Sequence, residues 1–294
     1  MRVRDGAGGM AERTDKPIVA ASTYVNSAPL CYSFLHGSLR EAVLFLPHAA
    51  PSTCSELLRD GQVDAALIPV IEYQQIEGTV VVPGIAVVSH REVQSVFLAS
   101  REPIERVHRV ALDLSSRTGA ALTRIFFEHF LGRRVQYIPW PPDIDAMLAV
   151  ADAALLIGDP ALVVRYHRRD LRIYDYARLW REYTGKPLVF AFWAIREDRQ
   201  ERAATVDFWM AREEGWRYRD RIIERYAEVL HLPPEFLRRY LTESVAYDLD
   251  EEGLSSLRLF YDLAHRVGVL SHVRPLRFLS RPVRSRCEEE RRML

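Results

Sequence analysis

The tetrapeptide Asp-Ala-Ala-Leu occurs twice, at Asp64-Ala65-Ala66-Leu67 and at Asp152-Ala153-Ala154-Leu155, 88 residues apart. Upstream of each copy, an apolar strand runs into a polar turn and then into a helix. In the first case these are residues 18–22, Thr23-Tyr24-Val25-Asn26-Ser27 and a helix opening at Ala28-Pro29-Leu30. In the second they are residues 110–112, Ser115-Ser116-Arg117-Thr118 and an Ala/Leu-rich helix from Gly119. The strand-to-turn junctions Val19 and Val110 are 91 residues apart. Four common residues can recur by chance, but recurrence at the same place in the same order of elements predicts two similar α/β lobes. The chain has 294 residues, 48% of them hydrophobic, so two lobes of ordinary size can each bury a core.

Each polar turn feeds a helix N-terminus, where backbone N–H groups lack acceptors and the helix dipole is positive. Pro29 falls in the first turn of its helix, where a missing N–H costs nothing. A single serine at such a place reads as an N-cap and a single arginine as a solvated first-turn residue. Ser115, Ser116, Arg117 and Thr118 put three hydroxyls and a guanidinium together, which favours an anion site over a simple cap.

The remaining pattern predicts a strand over 42–46, a capping box of Thr53 and Glu56 for a helix ending near Gly61, and a pair of strands over 80–88 and 94–100. Strands over 134–138 and 188–194 and a helix over 143–150 follow, then charge-rich helices across 198–230, 234–244 and 250–267. The run Leu188-Val189-Phe190-Ala191-Phe192-Trp193-Ala194 is apolar throughout and reads as a strand buried on both faces. Strands 94–100 and 188–194 bracket the second repeat and are the natural hinge strands. The expected architecture is therefore an α/β two-lobed clamp with a C-terminal helical segment. Lobe one is discontinuous, 18–100 and 195–280, lobe two spans 101–194, and 1–17 and 281–294 form flexible tails. Such clamps hold a ligand between lobes. Two facing anion sites suit a ligand with two carboxylates.

Composition narrows the function further. Lys+Arg and Asp+Glu both number 40, so no global field draws the chain to nucleic acid or to an anionic membrane. The late basic cluster over 274–292 is broken by Glu288-Glu289-Glu290 and reads as a solvated end. Cys31, Cys54 and Cys287 are too few and too scattered for a disulfide framework, and the nine histidines lack metal-binding spacing, so neither metal nor cofactor is expected. Residues 1–17 have no apolar stretch resembling a signal peptide, and no apolar run is long enough to span a bilayer, which points to the cytoplasm.

Several motifs in order resemble the chorismate dehydratase family of the futalosine route to menaquinone, on a type II periplasmic-binding-protein fold. They are Tyr24-Val25-Asn26-Ser27-Ala28-Pro29-Leu30, the segment 57–61, Asp64-Ala65-Ala66-Leu67-Ile68-Pro69 with Glu72-Tyr73, and Gln94-Ser95-Val96. Leu114-Ser115-Ser116-Arg117-Thr118, Ile157-Gly158-Asp159, and Trp180 with Thr184-Gly185-Lys186-Pro187 complete the set, over roughly residues 16–280. The resemblance implies loss of water from chorismate to give 3-[(1-carboxyvinyl)oxy]benzoate, without a cofactor. It assigns Ser115, Ser116, Arg117 and Thr118 to one carboxylate, and Asn26, Ser27 and Ser95 to the other polar groups. It further implies that the substrate's own enolpyruvyl carboxylate takes the ring proton while Asn26 orients or polarises the ring substituents. Gly119 stands where the family often has a further hydroxyl residue, which removes one donor.

Other readings compete. Glu72 is the rival protein base, although a first-turn glutamate is ordinarily stabilised by the helix dipole. Asp159 either caps the helix beginning near Pro160 or touches the substrate hydroxyl. Trp180 and Trp193 wall the pocket or simply fill core. The alternative functions are a dihydroxynaphthoate synthase-like enzyme of the same pathway, for which the resemblance implies a histidine base absent from these turns, and a non-catalytic small-carboxylate-binding protein.

Overall fold

The computed structural model describes residues 15–48 and 50–280, so most of the two expected tails, with Cys287 and the end of the basic cluster, lies outside the described residues. Among the described residues, eleven strands form two sheets. They are β1 (Ile18–Ser22), β2 (Leu44–His48), β3 (Ala65–Pro69), β4 (Thr79–Ser89), β5 (Val96–Ser100), β6 (Arg109–Asp113), β7 (Gln136–Trp140), β8 (Ala153–Ile157), β9 (Arg172–Asp175), β10 (Leu188–Arg196) and β11 (Ala246–Asp248). One sheet runs β11-β4-β10-β3-β1-β2 and the other β7-β6-β8-β5-β9.

The tetrapeptide repeat is a repeat of strand register. Val19 lies opposite Ala65 and Ala20 opposite Ala66 in the parallel pair β1–β3. Val110 lies opposite Ala153 and Ala111 opposite Ala154 in the parallel pair β6–β8. Each aspartate locks the open end of its pair. The Ile18 N–H donates to Asp64 Oδ2 at 2.7 Å and the Asp64 N–H returns to the Ile18 carbonyl at 2.8 Å. The Arg109 N–H donates to Asp152 Oδ2 at 2.9 Å, with the Asp152 N–H returning to the Arg109 carbonyl at 3.0 Å. A strand-end N–H needs such a partner once it is taken from water.

The sheets differ from the expected strand pairing in one important way. The strand expected over 94–100 does not pair with the strand expected over 80–88. β5 lies between β8 and β9, antiparallel to both, whereas β4 lies between β10 and β11. In return, β10 is antiparallel to β3 in the first sheet. Each lobe thus lends the other an antiparallel strand, and the chain crosses between sheets at 90–95 and 185–187 rather than within hinge strands. Both crossings use left-handed backbone, at Gln94 with φ 63° and at Gly185 with φ 72°.

Two helix starts also shift. Pro51 begins the helix Pro51–Arg59 one turn early, so Thr53 and Glu56 lie inside it and no capping box forms. The helix expected from Gly119 begins at Arg117, runs to Arg124, and continues as a π-helical stretch to Phe130. Trp180 and Trp193 are core residues: Trp180 Nε1 donates to Ser256 Oγ at 2.8 Å, and Trp193 packs on Phe34 and Phe208. No helix among the described residues is long and apolar enough to cross a membrane.

Candidate functional site

Both strand–turn–helix junctions open onto one cleft. From the first sheet come Ser22 at the end of β1, Tyr24, Asn26 and Ser27 after it, Leu67 and Pro69 of β3, Val87 of β4, and Phe190 and Ala191 of β10. From the second come Ser115, Ser116, Arg117, Thr118 and Gly119 after β6, Val96 of β5, Ile157 at the end of β8 and Gly158 after it. Phe190, Leu67, Val87 and Val96 make an apolar body, while the turns supply polar ends. That combination suits a flat ring carrying anionic substituents.

The carboxamide of Asn26 has no hydrogen-bond partner among the described residues, and it lines the cleft. Its backbone is firmly held. The Tyr247 hydroxyl donates to the Asn26 carbonyl at 2.9 Å, and the Tyr226 hydroxyl to the Thr23 carbonyl at 2.6 Å. Ser27 also lines the cleft, but its buried hydroxyl is turned back on the turn, donating to the Ser22 carbonyl at 2.6 Å. Its role is to shape the turn that presents Asn26.

On the second wall, Ser115 departs from its expected part. Its hydroxyl donates to Asp113 Oδ1 at 2.6 Å and its N–H to the same oxygen at 2.8 Å. The proton is committed, so the hydroxyl offers the cleft lone pairs rather than a donor. Asp113, which sequence reading passed over, is the buried residue that fixes this direction; burial raises its pKa and the two Ser115 bonds oppose the rise. Ser116 occupies the N-cap position without making a cap bond, leaving its hydroxyl for the cleft. Gly119 explains where that hydroxyl sits. A Cβ at 119 would fall on Ser116 Oγ, so glycine at this position makes room for the hydroxyl of Ser116. The Thr118 hydroxyl meets the Ile71 N–H at 3.5 Å, and the helix beginning at Arg117 adds first-turn N–H groups. The Arg117 guanidinium is half-exposed and 3.8 Å from Glu56 and 4.0 Å from Glu72, too long for firm pairing.

Two residues expected in the site stand behind it. Ser95 is fully buried, its hydroxyl accepting from Tyr240 Oη at 2.7 Å and its carbonyl holding the Gly158 N–H. Val96, one residue on, presents its side chain to the cleft instead, as strand alternation requires. Asp159 neither caps its helix nor lines the cleft. Its Oδ1 accepts from the Val25 N–H of the other lobe at 2.9 Å, because the helix Gly158–His167 starts at Gly158 and carries Asp159 toward that turn.

Burial pushes the Asp159 carboxyl up to about 7 from an ordinary 3.8, with the Val25 N–H opposing. A raised carboxyl contributes stability that is full below the ordinary carboxylate range and is lost as pH rises through about 7. Asp159→Asn keeps an oxygen acceptor for Val25 and removes the charge. Wild-type Tm is therefore expected to fall several degrees further than the variant's between about pH 5 and about pH 8. Thermal unfolding at both pH values checks this, and parallel curves would contradict it.

Glu72 is 4% exposed at its side chain, is bound to Arg59 at 2.5 Å, and is not among the residues lining the cleft. Glu72→Gln is expected to lower Tm by several degrees while any turnover in the cleft stays within about threefold of wild type. Loss of turnover with ligand affinity intact would return Glu72 to the site as a base. No group of three or more His, Cys, Asp or Glu among the described residues could hold a metal ion.

A family model described as menaquinone biosynthesis matches residues 17–266. A chorismate dehydratase from Thermus thermophilus is 27% identical over 260 residues, which is 83% of this chain and 93% of that protein. Among solved structures, a protein from Archaeoglobus fulgidus aligns with a TM-score of 0.71 at 19% identity, covering 88% of this chain and 100% of that one. The periplasmic aliphatic sulphonate binding protein SsuA of Escherichia coli aligns with a TM-score of 0.63 at 15% identity, covering 92% and 96%. These structural likenesses establish a periplasmic-binding-protein fold.

Proposed function

This chain belongs to the menaquinone biosynthesis family, and from that premise we propose that it is a hydro-lyase converting chorismate to 3-[(1-carboxyvinyl)oxy]benzoate in the cleft between its two lobes. The observation that carries the reading is the chemistry of the cleft lining. Among its described residues there is no His, Lys, Asp, Glu or Cys, and its one tyrosine, Tyr24, is pushed up to about 12 by burial. Such a lining can bind and orient a dianion but holds no side chain suited to act as a base near neutral pH. Chorismate brings its own base. Its enolpyruvyl carboxylate takes the proton from C3, the C4–O bond breaks, and the departing hydroxide takes up that proton. One water leaves and the ring becomes aromatic.

In this reading Ser116, Thr118, Arg117 and the first N–H groups of their helix hold one carboxylate. Asn26 donates its carboxamide to the ring substituents and keeps the other carboxylate over C3. Phe190, Leu67 and Val96 flank the ring. Positioning of this kind supplies a large share of a barrier without proton exchange by the protein. The lobes, built on the β1-bearing and β6-bearing sheets, close on the ligand. The reaction runs in the cytoplasm and needs no cofactor. The same lining disfavours a dihydroxynaphthoate synthase-like reaction that depends on a histidine.

Incubation of the purified protein with chorismate tests the reading. The expected product has lost one water and shows the ultraviolet spectrum of a substituted benzoate. Tight binding of chorismate without consumption would favour a carboxylate-binding protein instead.

A further inference from the structure

The stretch 240–247 lines neither wall of the cleft, yet it reaches both. It opens as the π-helical turn Tyr240–Ser244 and runs into β11, the edge strand of the first sheet. At one end the Tyr247 hydroxyl donates to the Asn26 carbonyl at 2.9 Å, across 221 residues of chain. At the other the Tyr240 hydroxyl donates to Ser95 Oγ at 2.7 Å, across 145 residues. Between them Ser244 Oγ accepts from the Gln94 carboxamide at 2.7 Å.

A buried phenol needs a partner, and one such bond is ordinary core satisfaction. Both of these phenols are buried, and burial raises both above the usual phenol range, so both stay donors. Their acceptors are not ordinary core groups. One is the backbone of Asn26, which lines the cleft. The other is the side chain of Ser95, the residue immediately before Val96 of the lining, and the Ser95 carbonyl holds the N–H of Gly158, also in the lining. Asp175 secures the same crossing from the second sheet. It accepts the Val93 N–H at 3.1 Å and the Gln94 N–H at 2.7 Å while capping the helix Tyr176–Thr184. One continuous piece of chain therefore fixes the Asn26 turn and the entrance to β5 relative to each other. Resting on the dehydratase reading, we infer that Tyr240 and Tyr247 are positioning residues, the two ends of a strut that sets how far Asn26 stands from the Val96 side of the cleft. The strut touches no reacting atom. Loss of either hydroxyl lets the wall it holds drift, which costs the transition state, where both walls act, more than ground-state binding.

The test compares Tyr240→Phe and Tyr247→Phe, which keep both rings, with the double variant. Each single variant is expected to lower kcat on chorismate about 10-fold or more. KM and the inhibition constant of the product stay within about threefold of wild type. The double variant should match the worse single one, because a strut released at one end no longer sets the spacing. Backbone hydrogen exchange carries the sharper signature. Tyr247→Phe should quicken exchange about fivefold over residues 93–96, which it does not touch, and Tyr240→Phe should do the same over residues 25–28. Quickening confined to the residues each hydroxyl touches, kcat losses that multiply, or wild-type kcat in both single variants overturns the inference. If wild type leaves chorismate untouched, the dehydratase reading fails, and the remote exchange alone supports or overturns the strut. If a phenylalanine variant fails to fold, Ser244→Ala, which removes the Gln94 bond, decides instead: quickened exchange over residues 25–28 supports the strut and a wild-type rate overturns it.

Discussion

Asn26→Ala is expected to lower kcat for chorismate by about 100-fold or more while leaving Tm within a degree or two of wild type. The two halves of this expectation come from different atoms of one residue. The carboxamide has no hydrogen-bond partner among the described residues, so removing it breaks no internal bond. The part of Asn26 that holds the turn is its carbonyl, which accepts from Tyr247 and survives in alanine. If the carboxamide keeps the enolpyruvyl carboxylate over the C3 proton, its loss is felt in the transition state and little in ground-state binding. Chorismate consumption followed by ultraviolet absorbance, with thermal unfolding on the same sample, measures both. Near-normal turnover would take Asn26 out of the reaction.

Gly215→Ala is expected to be the most damaging single-methyl change to the fold, lowering Tm by about 10 °C. The helices Ala28–His36 and Phe208–Arg217 cross at this glycine, and a Cβ on it would fall on the carbonyl oxygen of Pro29. A flexible side chain could swing aside, but a backbone carbonyl cannot, so one helix must move. Overpacking commonly costs about 1–3 kcal/mol, and backbone displacement puts this case at the upper end or beyond. Pro29 is three residues from Asn26, so turnover falls with stability. Calorimetric unfolding decides the matter, and an unchanged Tm would mean that the crossing yields easily.

The parts of the fold that were legible in the sequence are those fixed by local pattern. The Asp-Ala-Ala-Leu repeat announced two lobes because Asp64 and Asp152 do the same job at the open ends of two parallel strand pairs, with the alanines in the same register. The polar turns were legible because strand, turn and helix are contiguous there. What escaped was long-range. Nothing local in residues 94–100 says that β5 joins β8 and β9 rather than β4, since a strand buried along its whole length satisfies either sheet. The same limit applies to hydroxyl direction: Ser115, Ser116 and Thr118 look alike as donors until Asp113 claims the Ser115 proton. Asp159 was visible as a carboxylate after a strand, but its partner, the Val25 N–H, lies 134 residues away in the chain. Tyr24 is visible in the sequence as part of a motif, but the Gly158 backbone against which its ring lies comes from the opposite lobe.

The central claim is that the two turns hold one dianion between them, with the protein orienting and the substrate supplying the base. A crystal structure with 3-[(1-carboxyvinyl)oxy]benzoate bound tests it most directly. The expected result has one carboxylate on Ser116, Thr118 and the first N–H groups of the helix Arg117–Arg124, with the ring against Phe190 and the Asn26 carboxamide within hydrogen-bond distance of the ligand. A ligand seated elsewhere, or a carboxyl, imidazole or amine side chain of the protein beside the ring carbon that loses the proton, would contradict the account.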